Sequence, residues 1–594
     1  MPKKPTNIIA GILILFMGLL AFLSILNDSL TYDETAHIAA GYSYLTQRDM
    51  RLNPEHPPLI KDMAGFPLLF LNLNFPKSNA LWQNATPSRW WDQFDVASLF
   101  LYRSNNNPDQ ILFWSKMPMV LITLLLAYYV FRWSREIFGD KAALISLFLF
   151  SFSPTLLAHG RLVTTDVGAA AGIFIATYYF IKFLTKSSKI NLLKSGIFLG
   201  LAELSKFSTI LLLPFFAILV VVWALLKSPS GIGNFAKNFG RYACFFALII
   251  VIGYAMVWGV YKFHTWNYPV EKQIFDSKST LSSFKYNFLS DSAIWMAANP
   301  VLRPIAQYLL GLMMVAQRTS GGNTSYFMGE ISAGGWRTYF PTVYLVKEPL
   351  PFHILLATAL ISALWFGFIK NPFWKKPKTR LIFWIRGHFP EFAMLLFIGI
   401  YWATSLSGNL NIGVRHLIPV FPFTILLVSR GTLLWLKPPR QMAKKIILGF
   451  LLIWQAYSVI SIYPSFLAYF NELAGGPDNG YKIAVDSNLD WGQDLKRLAK
   501  WADERNIKKI YIDYFGGGDL NYYLDGKFSP WWGARKPNEL PNGSYLAISA
   551  TLLQGGRAKP APNFTQPTDY YRWLDAYEPI AKIGYSIFVY KIDR

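Results

Sequence analysis

Cysteine is almost missing from this chain: Cys244 stands alone among 594 residues, so no internal disulfide forms and no cysteine-based metal site exists. Charge is scarce as well, at 15% of residues, and acids are the scarcer sign, 34 against 57 lysines and arginines. The net charge of +23 invites a nucleic-acid reading. Its placement excludes one, because residues 465–594 are close to neutral and the excess lies in the apolar part, where retention of Lys and Arg on the cytoplasmic side of a membrane accounts for it. No internal repeat and no low-complexity tract is found.

Apolar sequence is what the chain has in abundance, with 53% hydrophobic and 17% aromatic residues. The run at 7–26 is long enough to cross a hydrocarbon core of about 30 Å as a helix. A cleaved signal peptide is the competing reading, since Lys3 and Lys4 make a basic start, but the run is too long and no small-x-small site follows. Further runs at 111–133, 141–158, 164–184, 191–226 (room for two crossings), 241–261, 342–370, 391–407, 411–436 and 445–464 bring the expectation to about eleven transmembrane helices. Basic loops around Arg132 and Arg135, Lys182 to Lys189, Lys227 to Arg241, 370–386 and Lys437 to Lys445 then share the cytoplasmic face with the N-terminus. Segments 27–110 and 261–341 become large extracytoplasmic loops. After residue 464 the pattern changes to short alternating strands at 509–514, 544–549 and 586–590 and a helix at 492–505. The expected organisation is therefore a mainly helical membrane module, 1–464, followed by an extracytoplasmic α/β domain, 465–594. The Gly516-Gly517-Gly518 run reads as a tight turn rather than a phosphate cradle.

Acids and cations gather on the face assigned outside. Asp33 and Glu34 follow the first span, Glu55 and His56 sit in the rigid stretch Asn53 to Leu59, Arg161 and Asp166 flank the entry of a later helix, and Lys206, Arg415 and His416 lie at helix ends. Each has a simpler alternative: Asp33 and Glu34 as helix N-terminal acids on a surface helix, Asp166 as an N-terminal cap, Lys206 as a snorkelling lysine. Arg415 is harder to dismiss, because an arginine entering an apolar segment needs an anionic partner. Acids with cations at an outer membrane surface suit transfer of a sugar from a lipid phosphate. A carboxylate accepts the acceptor's proton, and cations hold the departing phosphate.

At these residues the chain resembles the GT-C superfamily of polyprenyl-phosphate-dependent, multi-spanning glycosyltransferases, particularly prokaryotic relatives of the dolichyl-phosphate-mannose protein mannosyltransferases and the lipid A aminoarabinose transferases. The resemblance rests on Asp33-Glu34, Glu55-His56-Pro57-Pro58-Leu59, His159 to Asp166, and Leu204-Ser205-Lys206, within about the first 230 residues. It implies that Asp33 is the general base or orients the acceptor, that Glu34, Glu55 and Asp166 shape the site or, in some members, bind a divalent ion, and that Lys206 contacts the carrier phosphate. His56 stands where the aminoarabinose enzymes have lysine. Arg161, Arg415 and His416 are assigned to the donor phosphate with it. Glu330 and Trp336 of the loop 323–336, and Asp490 and Gln493 of the outer domain, are assigned to the acceptor. The oligosaccharyltransferase Trp-Trp-Asp-Tyr-Gly signature is missing; Trp531-Trp532-Gly533 departs from it. Metal dependence is left open, since no spacing here dictates a metal. The expected partners are the lipid bilayer, a polyprenyl-phosphate sugar and an extracytoplasmic hydroxyl. A transporter or lipid flippase, and a non-catalytic sugar-binding membrane protein, stay as alternatives; the former should carry inverted repeats and acids deep within its spans.

Overall fold

The computed structural model of the protein describes residues 3–228, 232–366 and 377–593. It is a bundle of helices capped at one end by short helices, turns and a sheet. Among the described residues eight helices are long and apolar enough to cross a membrane, and a ninth if the pair Tyr339–Lys347 and Leu350–Leu364, bent by 112°, is one span. The two other expected crossings are the shorter helices Asp140–Ser151 and Lys189–Glu203. The first of these stops where Ser153 caps a new helix, Pro154–His159, which splits the expected 141–158 run in two. Part of the basic stretch expected at 370–386 lies outside the described residues.

The helix ends sort by chemistry. At one end Glu136 takes Arg132, Lys182 and the Tyr178 hydroxyl, Arg135 pairs with Asp140 at 2.6 Å, and Arg386 caps the carbonyl of Leu226 at 2.7 Å. This is the end that the basic loops assign to the cytoplasm. At the other end the chain leaves its first span and turns into the helix Tyr32–Gln47, whose start is a capping box: Glu34 Oε2 accepts from the Thr31 amide at 3.0 Å. Eleven residues of that helix, Glu34 to Tyr44, are buried. It is an internal element and not the surface helix the sequence allowed.

The C-terminal region holds a five-stranded mixed sheet in the order Phe528–Pro530, Ile510–Asp513, Ser544–Ser549, Ile587–Ile592, Ala581–Ile583. Its first three strands are parallel and its last two antiparallel. The amphipathic helix Leu495–Glu504 packs Leu495, Leu498, Ala499 and Ala502 on one face, together with Ile510, Ile512, Ala547 and Val589. Before this helix the stretch 466–494 runs among the helix ends: Lys347 Nζ donates to the carbonyls of Leu467, Tyr469 and Asn488 at 2.6–2.8 Å. Residues 28–32 are laid along 491–493, the amides of Ser29 and Tyr32 donating to the carbonyls of Gln493 and Trp491, both at 3.0 Å. The hairpin Ser325–Phe327/Glu330–Ser332 adds Lys559–Pro560 as a third strand. Gly517 sits against this junction; a Cβ there would come within 2.0 Å of Thr35 Oγ1, so the glycine run is a close approach of backbone to the helix start.

Candidate active site

A cavity of about 150 Å³ opens at this capped end. Its wall takes Asp33 from the start of the helix Tyr32–Gln47, Glu55 and His56 from the Pro-rich turn, Lys206 from the break before Phe207–Leu226, Arg318 from the helix Arg303–Gly321, and Arg415 with His416 from the turn opening Val414–Trp435. Asp33 is its accessible carboxylate, with 25% of its side chain exposed. Arg415 Nη1 lies 3.0 Å from Asp33 Oδ2 and 3.4 Å from Asp166 Oδ2. Lys206 Nζ takes the other oxygen of Asp166 at 2.5 Å. Arg318 pairs with Glu55 at 2.6 Å and lies over the Trp90 ring at 4.7 Å. Three cations are thus matched by three carboxylates, in one connected run from Asp33 through Arg415 and Asp166 to Lys206 and one separate pair, Arg318 with Glu55. Burying such ions costs several kcal/mol each before pairing, so the constellation is a poor way to gain stability and a good way to prepare a binding site.

Residues from beyond 464 hold Arg415 in place. Its Nε donates to Ser487 Oγ at 3.1 Å, and its guanidinium lies over the Trp491 ring at 4.2 Å. Asn488 Oδ1 accepts from the Val414 amide at 2.9 Å, which fixes the turn itself. Asp486, in the left-handed region at φ 55°, is beside this site; burial pushes its carboxyl up to about 6, against the pull of Arg415. The turn carrying Glu55 is pinned by Lys61, fully buried, which donates to Asn53 O and His56 O at 2.7 Å and to Asn53 Oδ1 at 3.1 Å. Burial and the nearby His37, Lys61, Lys206 and Arg318 hold His56 well below the ordinary histidine range. His37, 5.2 Å from it ring to ring, is pushed down to about 4 by burial and donates its Nδ1–H to Val163 O at 2.8 Å. The cavity therefore contains neutral imidazoles among fixed cations. Burial opposes the Arg318 charge, but Glu55 and Asp33 raise it above the ordinary arginine value.

Several residues assigned to the site from sequence lie elsewhere. Glu34 is fully buried away from the cavity; besides its cap, Oε1 accepts from the Val163 amide at 2.9 Å and Lys116 sits 3.5 Å from Oε2. Arg161 is drawn to Asp28, the acid six residues before Glu34, and donates to Ser24 O at 3.2 Å; Lys116 and Arg497 share Asp28 with it at 3.1 and 3.0 Å. Burial and Arg497 push Arg161 down to about 9. Asp490 accepts from the Thr551 amide at 2.8 Å inside the C-terminal region, and burial pushes its carboxyl up to about 8. Gln493 braces the same turn through the Trp491 amide and Leu489 O, both at 2.9 Å. Glu330 and Trp336 bond to each other at 3.1 Å on the hairpin and do not line the cavity. Sequence reasoning missed the site residues Arg318, Trp90 and Ser487, and outside the site it missed Asp28, the partner that draws Arg161 away. Only Asp28 had a signal, as an acid at the end of a span.

Among the described residues no group of three His, Cys, Asp or Glu side chains is gathered as a metal ion requires. Asp33 and Asp166 bracket a guanidinium and Glu55 takes another, so as arranged they offer a divalent cation no open set of oxygens.

Residues 103–258 match the family model of the dolichyl-phosphate-mannose-protein mannosyltransferases. That segment contains Asp166 and Lys206; Asp33, Arg318 and Arg415 lie outside it. No curated protein matches the chain significantly in sequence. Among solved structures, the chain is similar to the oligosaccharyltransferase AglB of Archaeoglobus fulgidus in complex with an inhibitory peptide and a dolichol-phosphate (12% identity, TM-score 0.45, covering 91% of this chain and 69% of that one). It is also similar to ArnT of Cupriavidus metallidurans in the apo state (12%, TM-score 0.31, 98% and 97%) and to the S. cerevisiae protein O-mannosyltransferase complex bound to the sugar donor (12%, TM-score 0.48, 89% and 96%).

Proposed function

We propose that the protein is an inverting glycosyltransferase that moves one sugar from a polyprenyl-phosphate donor to a hydroxyl on the extracytoplasmic side of the cell membrane, with Asp33 as general base. The observation that carries this reading is the placement of one partly exposed carboxylate, Asp33, in a cavity that also holds Lys206, Arg318 and Arg415. The acceptor O–H gives its proton to Asp33 while its oxygen forms a bond to the anomeric carbon. The bond from that carbon to the phosphate oxygen breaks on the opposite face, and the polyprenyl phosphate departs with the electron pair. Its growing charge is met by cations that are already ordered, so little reorganisation is needed during the step. The match to the mannosyltransferase family model over 103–258 supports the donor class.

The test is release of polyprenyl phosphate by purified protein in lipid, given a panel of polyprenyl-phosphate sugars and membrane extract as acceptor. Asp33→Asn should lower release by about 10²–10⁴-fold, the usual worth of a general base, with insertion and thermal unfolding unchanged. Release that survives in Asp33→Asn removes Asp33 from the role. No release from the wild type with any donor returns the protein to a transport or binding function.

A further inference from the structure

The segment 266–301 is built inside out. The helix Val270–Thr280 buries Gln273, Asp276 and Ser277, and the helix Asn287–Ala297 buries Ser290, Ala293 and Ala297. Large apolar side chains point the other way: Trp266 and Val301 are 63% exposed, Phe275 64%, Trp295 65% and Phe288 81%. The buried Asp276, Gln273 and Ser290 side chains are paired. Asp276 accepts from the Tyr268 hydroxyl at 2.5 Å, Gln273 bonds to Arg303 and Gln307, and Gln307 donates to Met50 O at 3.1 Å. The segment is therefore held to the protein by these polar groups and by Leu281 and Ala293, which pack with Leu310 and Met313, while the large exposed apolar side chains named above have no partner among the described residues. Soluble surfaces rarely present so many large, exposed apolar side chains within one short segment.

Its height relative to the bundle is fixed by two contacts. Trp258 Nε1 donates to Val301 O at 2.7 Å and Lys262 Nζ donates to Pro300 O at 3.3 Å. Both donors lie in the last turns of the spanning helix Gly233–His264, whose apolar stretch is mostly open to its surroundings. The aromatic face of 266–301 thus continues the lipid-facing surface of a span at the level where that span ends, where tryptophan and lysine favour the membrane interface.

We propose that residues 266–301 form an interfacial pad that inserts its aromatic face into the headgroup region of the outer leaflet. The partner is a lipid surface. The pad is joined to the site by one rod: the helix Arg303–Gly321 starts at the pad and carries Arg318 into the cavity about 22 Å further on, at 1.5 Å per residue. The pad sets the depth at which the cavity meets the membrane, and it does so whether or not the transfer reaction is as proposed above.

The test needs no activity. In a Cys244→Ser background of the full chain, single variants Phe288→Cys and Trp295→Cys, with the exposed charged position Lys278→Cys as the reference, are spin-labelled in nanodiscs of phosphatidylethanolamine and phosphatidylglycerol. Collision with oxygen is compared with collision with a water-soluble nickel chelate. Labels at 288 and 295 should meet the chelate several-fold less than the label at 278, and oxygen more. Equal access to the chelate at all three positions overturns the pad. Shielding from both reagents, with dipolar broadening between two labelled copies, also overturns it and assigns the face to self-association.

Discussion

Arg415 is the residue on which the others depend. It holds Asp33, shares Asp166 with Lys206, and is itself held by Ser487 and Trp491. Ser487→Ala removes the acceptor of Arg415 Nε. A hydrogen bond to a charged group is worth about 1.5 kcal/mol at the low end, so turnover should fall about tenfold, and because the same buried hydroxyl also donates to Ile412 O, about 1 kcal/mol of stability is lost with it. Steady-state kinetics beside a melting curve read both. Glu34 should behave in the opposite way, since its oxygens are spent on the Thr31 and Val163 amides and on Lys116. Glu34→Gln should destabilise the protein by about 1–3 kcal/mol while turnover per folded molecule is kept. The adjacent acids of Asp33-Glu34 are one letter apart in meaning: helical geometry turns one into the cavity and the other into the cap. No reading of two neighbouring carboxylates separates them without knowing which face of the helix is covered.

Among the elements, the helix Arg303–Gly321 joins the pad to the cavity, and its position rests on Gly311. A Cβ at 311 would lie 2.2 Å from the carbonyl oxygen of Pro54, the residue before Glu55. Alanine favours helix over glycine by about 1 kcal/mol, yet here the overpacking cost of about 1–3 kcal/mol should win. Gly311→Ala is expected to lower the melting temperature and raise KM for the proposed lipid donor, because Arg318 and Glu55 are pushed apart. Unchanged KM would show that the Arg318–Glu55 pair is not used in donor binding. The spans and the C-terminal strands were legible from hydrophobic runs and alternation; the observed strands Ile510–Asp513, Ser544–Ser549 and Ile587–Ile592 overlap those expected. The break at Ser153 was not, since an apolar run does not reveal where a serine will cap.

In the whole molecule, the stretch 466–494 belongs physically to both halves of the chain. Asp490, in this stretch, gives folding a pH dependence. Its carboxyl is raised from 3.8 to about 8 by burial, so between these values the folded state keeps a proton that the unfolded chain has lost. Stability from this group is complete below 3.8 and declines as pH rises towards about 8. Asp490→Asn should therefore flatten the fall in melting temperature from pH 5 to pH 8, gaining most at the alkaline end. Thermal unfolding across a pH series checks the sign.

The sequence by itself determined the membrane character of the chain, its many crossings, the change of pattern after residue 464 and the presence of acids and cations at helix ends, because each is written in local composition and period. The tertiary structure decided which of those charges meet. Asp33 and Arg415 are 382 residues apart in sequence, and Glu55 and Arg318 are 263 apart. Arg161, by contrast, is taken out of the site by Asp28. A charge pattern along a chain says that buried ions need partners; only the packing of helix ends chooses the partner, since desolvation drives each ion to the nearest opposite charge the fold presents.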